Sequence, residues 1–247
     1  MRETGLTIRI LLFFLLIGNG GLLLSQDLGV PAHFSAYAKN YPEHVLYQGP
    51  EDNRFIALTF DDGPTEITAS IFDLLEKHQV KATFFWQGKN LIERPEVVRR
   101  AINSGHEFGN HSWDHPNCID MNPKELWNEQ LQPTNSIYDS LFGQDVKLYR
   151  PPYGAVSESQ LDYIREKDII TVLWSLSTLD WDVERNSANE IFERFQSAVY
   201  PGAIVLLHDM DFGNTAAEKL EGLERIIFYG RAEGYSFLTI PELLNKN

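Results

Sequence analysis

The 247-residue sequence predicts an α/β fold, a single distorted (β/α)7 barrel domain. Two observations carry that expectation. Short apolar segments with strand character recur seven times, at 55–60, 81–85, 106–110, 147–150, 169–174, 203–208 and 235–239. Between them lie stretches with apolar residues at i, i+3 and i+4, such as Ile67, Ile71, Leu74 and Leu75, or Leu161 and Ile164. Strands separated by helices run parallel, and seven such units in about 190 residues suit a small barrel better than an open sheet.

The elements follow in chain order. Residues 1–25 begin Met1-Arg2 and carry the apolar run Ile10 to Ile17, interrupted by Gly18-Asn19-Gly20-Gly21. A basic start before a short apolar core reads as a secretory signal peptide or an N-terminal anchor, since a spanning helix needs ~20 apolar residues. No clear small-x-small site follows, and no cysteine stands there to take a lipid. The protein is therefore expected to be exported, to the periplasm, the cell envelope or the medium, touching a membrane only through this segment. Residues 26–54, with Pro31, Pro42, Gly49, Pro50 and three tyrosines but no helical period, read as a lead-in. Residues 55–247 form the expected domain. Within it Pro95 opens a helix that ends before Gly105, and Pro123 opens a longer one reaching about Leu141, in which Pro133 predicts a kink.

With 43% apolar and 12% aromatic residues, a chain of this length can bury one large core unaided. Cys118 is the only cysteine, which excludes an internal disulfide and reads as a packed small hydrophobe. A net charge of −14 repels nucleic acid and other polyanions. A monomer is expected.

Against that frame the unusual residues share one rim. Asp61 and Asp62 follow the first predicted strand, His111 and His115 the third, Arg150 ends the fourth, Asp180 follows the fifth and His208 ends the sixth. Parallel barrels build active sites at the carboxyl ends of their strands, and unrelated turn residues have no reason to collect there. Adjacent acids at a strand end point in different directions, so one can bind a cation while the other takes a proton. The residues alone leave open which does which. His111 and His115, at i and i+4, would share one face of a helical turn. Two His and one carboxylate leave a coordination position open, which suits catalysis rather than structure. Ser112 stands where the helical metalloprotease motif has its Glu base, so the base must come from elsewhere. His33, His44, His78 and His106 fall in no such pattern and read as structural or surface residues. Trp86 and Trp113 lie near the rim, where an aromatic face can stack on a sugar or simply pack.

Five short motifs occur together between Phe55 and Leu244: TFDDGP at 59–64, HSWDH at 111–115, RPPYG at 150–154, LDW at 179–181 and LLH at 206–208. On these the chain resembles the polysaccharide deacetylases of the NodB-homology type, carbohydrate esterase family 4. The resemblance implies a NodB-like barrel and a metal-dependent hydrolase, with Asp61 as general base tethered by Arg150. It implies Asp62, His111 and His115 as ligands of Zn2+, with Co2+ or Ni2+ as substitutes. By the same resemblance Tyr153 offers its backbone N–H to the oxyanion, Asp180 orients His208 as general acid, and Trp181 and Leu206 wall the acetyl pocket. One departure is Ser177, where many relatives carry an acid. The implied partner is an acetylated glycan, and the implied reaction is N-deacetylation of N-acetylglucosamine units in peptidoglycan or chitin. An O-acetyl esterase on xylan-type glycans and an inactive carbohydrate-binding protein are the alternatives. Product analysis separates the first, and loss of a base, ligand or acid would mark the second.

Overall fold

In the computed structural model the residues described are 29–143, 145–213 and 215–246. The signal peptide or anchor expected at 1–25 lies outside them. Among the described residues no helix is long and apolar enough to cross a membrane.

Nine strands are present among these residues: β1 (Val45–Leu46), β2 (Phe55–Asp61), β3 (Thr83–Trp86), β4 (Glu107–Asn110), β5 (Leu148–Tyr149), β6 (Ile170–Val172), β7 (Leu176–Ser177), β8 (Ile204–His208) and β9 (Ser236–Phe237). They form one parallel array ordered β1-β6-β5-β4-β3-β2-β8-β7, with β9 beside the start of β2. No ladder joins β1 to β7 among the described residues, so the barrel is incompletely closed, as a distorted (β/α)7 barrel should be.

Alternation along the strands divides the core in two. Ile56, Leu58 and Phe60 of β2, Phe84 and Trp86 of β3, and Val205 and Leu207 of β8 face outward. There they meet Ile71, Phe72 and Leu75 of the helix Thr68–Lys77 and Ile226 and Ile227 of the helix Ala216–Ala232. The opposite parity faces inward, with Ala57, Phe85, Ile204 and Leu206 packed with Phe34, Trp174, Ile240 and Leu243. Two-residue periodicity thus places Thr59 and Asp61, and Leu206 and His208, on the inner face.

Three features depart from the sequence expectation. Val45–Leu46, within the lead-in, pairs with β6, and the same segment buries Val30 and Phe34 in the inner core. The predicted strand 169–174 ends at Val172, and a separate strand, β7, follows. Leu173 N donates to Leu46 O, whereas Ser175 N donates to Ile204 O, so the chain changes partner from β1 to β8 between them. Asp180 therefore follows β7. The long helix is interrupted before Pro133: Pro123–Glu125 leads into a π-helical stretch Leu126–Leu131 and then the α-helix Gln132–Phe142. Proline has no N–H and crowds the preceding turn, and the widened turn ahead of it accommodates both.

Candidate active site

The register of the sheet assembles the site. In the β2/β8 ladder Asp61 is the direct partner of His208, and in the β2/β3 ladder it lies beside Phe85. Asp61 is buried and receives Arg150 Nη1 on Oδ1 at 2.7 Å. Arg150, wholly buried, spends its other donors on Thr59 Oγ1 and the carbonyls of Val172 and Leu173, and lies 4.2 Å over the Phe85 ring. Five donors in a rigid fork can satisfy so many partners at once. Burial raises the Asp61 carboxyl above the ordinary carboxylate range, although Arg150 and His208 pull it down. Asp61 Oδ2 remains directed toward His111 Nε2 at 3.8 Å.

Asp62, His111 and His115 each turn one ligand atom to a common point, all within 4.8 Å of one another. Asp62 Oδ1 lies 3.6 Å from His111 Nε2 and 3.3 Å from His115 Nε2. His111 Nδ1 donates to Arg150 O at 2.7 Å, which leaves the Nε2 lone pair facing the point. Burial lowers the His111 imidazole to about 3, so it is neutral near pH 7. One carboxylate and two imidazoles with room beside them fit an open divalent-cation site.

The two histidines do not share a helical turn, as their spacing suggests. Ser112 and His115 have φ of 67° and 63°, and the segment is an irregular loop. Its form comes from tertiary partners: Asn110 Oδ1 accepts from Ser112 N, Gln130 Oε1 from Trp113 N, and Ser112 Oγ from His115 N. Gln130 belongs to the π-helical stretch, so the irregular turn ahead of Pro133 braces this loop. The segment after β3 holds both loops that carry these candidate donors. Gln87 Nε2 donates to Asp62 Oδ1, Asn90 Nδ2 to Asp62 O, Gly88 N to Ser112 O and Lys89 N to Trp113 O. Trp86 is not at the rim but in the outer core, its indole N–H on Asp209 Oδ2.

On the other wall His208 Nδ1 meets Asp180 Oδ1 at 2.7 Å, and His208 N donates to Asp180 Oδ2 at 2.9 Å. Burial opposes the charged imidazole, but Asp180 outweighs it and His208 is raised above its ordinary value. Ser177, where the acid is lacking, accepts from Leu179 N and shapes the turn to Asp180 through a hydroxyl instead. Tyr153, 63% exposed with φ of 59°, sets its ring edge-on to His115 at 4.6 Å between centroids. These groups line one open cleft of about 630 Å³, whose walls include Trp181, Leu206 and Tyr153 and also Asp114, Met210 and Phe212.

The sequence profile of the family described as polysaccharide deacetylase matches residues 48–172. A peptidoglycan-N-acetylglucosamine deacetylase of Bacillus cereus is 38% identical over 202 residues, covering 81% of this chain and 72% of that protein. This chain belongs to the polysaccharide deacetylase family. The peptidoglycan-N-acetylglucosamine deacetylase PgdA of Listeria monocytogenes is 37% identical over 195 residues, 78% of this chain but 40% of that longer protein. Among solved structures, the Bc1960 peptidoglycan N-acetylglucosamine deacetylase superposes with a TM-score of 0.79 at 35% identity, over 85% of this chain and 96% of that one. The family's NodB-like barrel is the fold observed.

All ten site residues expected from this chain's own sequence thus meet around one cleft or directly behind it. Sequence reasoning missed Gln87, Asn90, Gln130 and Lys219, which hold the others in place. Gln87 and Asn90 follow a predicted strand, a signal that was available. Gln130 and Lys219 sit inside helical segments, where nothing local separates a supporting polar residue from a solvated one.

Proposed function

We propose that the protein hydrolyses the acetamido group of N-acetylglucosamine units in a polysaccharide, peptidoglycan or chitin, releasing acetate. The observation that carries this reading is the pairing of Asp61 with His208 across one ladder, beside the Asp62, His111 and His115 donors. An attacking water needs a base, and an amine leaving group needs an acid, on opposite sides of one carbonyl. A divalent ion on the three donors, zinc by the chemistry of its ligands, would supply a Lewis acid for water and acetyl carbonyl.

The chain's own residues do the rest. Asp61, raised by burial, takes the proton of the water as its oxygen bonds to the acetyl carbon. Arg150 keeps that carboxylate aimed through Oδ1 and leaves Oδ2 for the proton. The Tyr153 backbone N–H, presented by a turn of positive φ, donates to the carbonyl oxygen as it gains charge. His208 Nε2 gives its proton to the glucosamine nitrogen as the C–N bond breaks, while Asp180 holds Nδ1. Trp181 and Leu206 enclose the acetyl methyl. An exported location, outside the cytoplasm where such polymers lie, is part of this reading.

The test is acetate and free-amine release from N-acetylchitooligosaccharide, peptidoglycan and acetylxylan, with chelation and zinc readdition. Acetate matched by new amine from either of the first two, lost on chelation and restored by zinc, is expected. Asp61→Asn should abolish turnover with metal content unchanged, whereas Asp62→Ala or His111→Ala should lose both. Acetate from xylan alone, without amine, would replace the reading by an esterase.

A further inference from the structure

Lys219 is a buried ammonium with no place in the mechanism above. It is 5% exposed and stands in the first turn of the helix Ala216–Ala232. That is an unfavourable place for a cation twice over. Burial removes its hydration, and the positive end of the helix dipole repels it. For packing alone a methionine would cost less, so the charge must be answered by its surroundings.

The surroundings are the general-acid apparatus. Lys219 Nζ lies 3.1 Å from Asp180 Oδ2, the oxygen that also accepts from His208 N. It donates to Met210 O at 2.6 Å and reaches His208 O at 3.4 Å. All three ammonium protons are thus directed at the strand end that carries His208, the loop after it, and the carboxylate behind it. The Phe212 ring lies 4.6 Å from Nζ and edge-on to His208 at 5.6 Å between centroids, so it touches both partners.

We propose that Lys219 is a positioning residue of the general acid: its charge offsets that of Asp180 and so keeps the His208 proton acidic enough to be given away. The inference rests on the deacetylase reading for its meaning, but not for its measurement. A carboxylate facing an imidazole alone makes a strongly held imidazolium, which is protonated but a poor donor. With Lys219 on the far oxygen, His208 meets a nearly neutral pair. The other charged groups toward His208 are Asp61 and Asp62, from the end of β2, and both raise it. Asp180 itself is held well below the carboxylate range, against its own burial, by Lys219 and His208. With Lys219 neutralised, His208 Nδ1 and its backbone N–H still hold the charge of Asp180, and the carboxylate then acts on the imidazole without a counter-charge.

The experiment follows the His208 imidazole by NMR pH titration in the zinc-loaded protein and in Lys219→Gln and Lys219→Met. Lys219→Gln keeps a donor for the carbonyls and guards against a variant that does not fold. The pH profile of acetate release is recorded beside it. The His208 midpoint and the alkaline limb should move up by about one unit in both variants. At neutral pH kcat should fall about threefold, as a half-transferred proton in the transition state requires, while KM stays unchanged. A midpoint that stays in place or moves down in folded Lys219→Gln would overturn the proposal and leave Lys219 a structural residue. Absence of acetate from any glycan with the unaltered protein would defeat the deacetylase reading instead, and the titration would still report on Lys219.

Discussion

At the scale of single residues, burial sets one partner of this site and a charged neighbour sets the other. Asp61 is raised by loss of water, with Arg150 and His208 opposing, and His208 is raised by Asp180 against its own burial. In the proposed reaction Asp61 works as base once it has lost its proton and His208 as acid while it keeps its own. Activity should therefore fall as pH drops through a midpoint above the ordinary carboxylate value, and fall again as pH rises through one above the ordinary imidazole value. A kcat/KM profile between pH 4 and 9 checks both limbs. The same shift links to stability: the contribution of His208 is complete below its unfolded value and is lost as pH rises through its folded one. Arg150 gives a second prediction. Arg150→Met leaves Asp61 and three other acceptors without a donor in a buried place, and should cost about 3–5 kcal/mol in denaturant unfolding. Loss of turnover with full stability would mean the guanidinium is not structural. Both acids and the arginine were legible because the sequence put charge where a strand runs into a turn. Their pKa directions were not, because those depend on which side chains the sheet register brings near.

At the scale of elements, the ligand-bearing loops owe their shape to neighbours more than to their own sequences. Gly63 shows this. A side chain there would overlap the carboxylate of Asp209, which is fixed by Thr68 and Trp86 from two other elements. Gly63→Ala should lower stability by about 1–3 kcal/mol and weaken metal binding along with it, since Asp62 must shift. Unchanged metal affinity in a destabilised variant would separate the two. The histidine loop teaches the same point from the opposite direction. Spacing at i and i+4 suggests a helix, but Asn110, Gln130 and Ser112 capture its backbone in a form with two positive φ angles. Seven strands and their helices could be read from periodicity. β1, set among the turn formers Pro42, Gly49 and Pro50, and β7, which follows β6 after three residues in what reads as one apolar stretch, could not, and each is defined by the partner strand it meets.

At the scale of the whole molecule, the segment before the predicted domain serves as support for the site. Phe34 is wholly buried, meets Trp174 edge-on at 4.9 Å, and lies where a side chain on Gly154 would be. It thus packs beneath the turn that presents Tyr153. Phe34→Ala should cost about 3–5 kcal/mol and lower kcat more than it raises KM, because the loosened turn holds the proposed oxyanion donor. Thermal unfolding and steady-state kinetics test the two halves, and a stability loss with unaltered kcat would confine Phe34 to the core. β1 adds to this, since its pairing with β6 covers an edge that would otherwise stay open.

By itself the sequence determined the architecture, the family, and the residues around the cleft, because strand period, turn chemistry and short motifs are local quantities that one chain displays in order. Tertiary structure alone decided which atoms face one another: Asp61 opposite His208 by ladder register, the neutral tautomer of His111 through Arg150 O, and the buried Lys219 behind Asp180. Those relations join residues tens to more than a hundred positions apart. They depend on how the strands are paired, and no neighbouring residue in the chain carries that information.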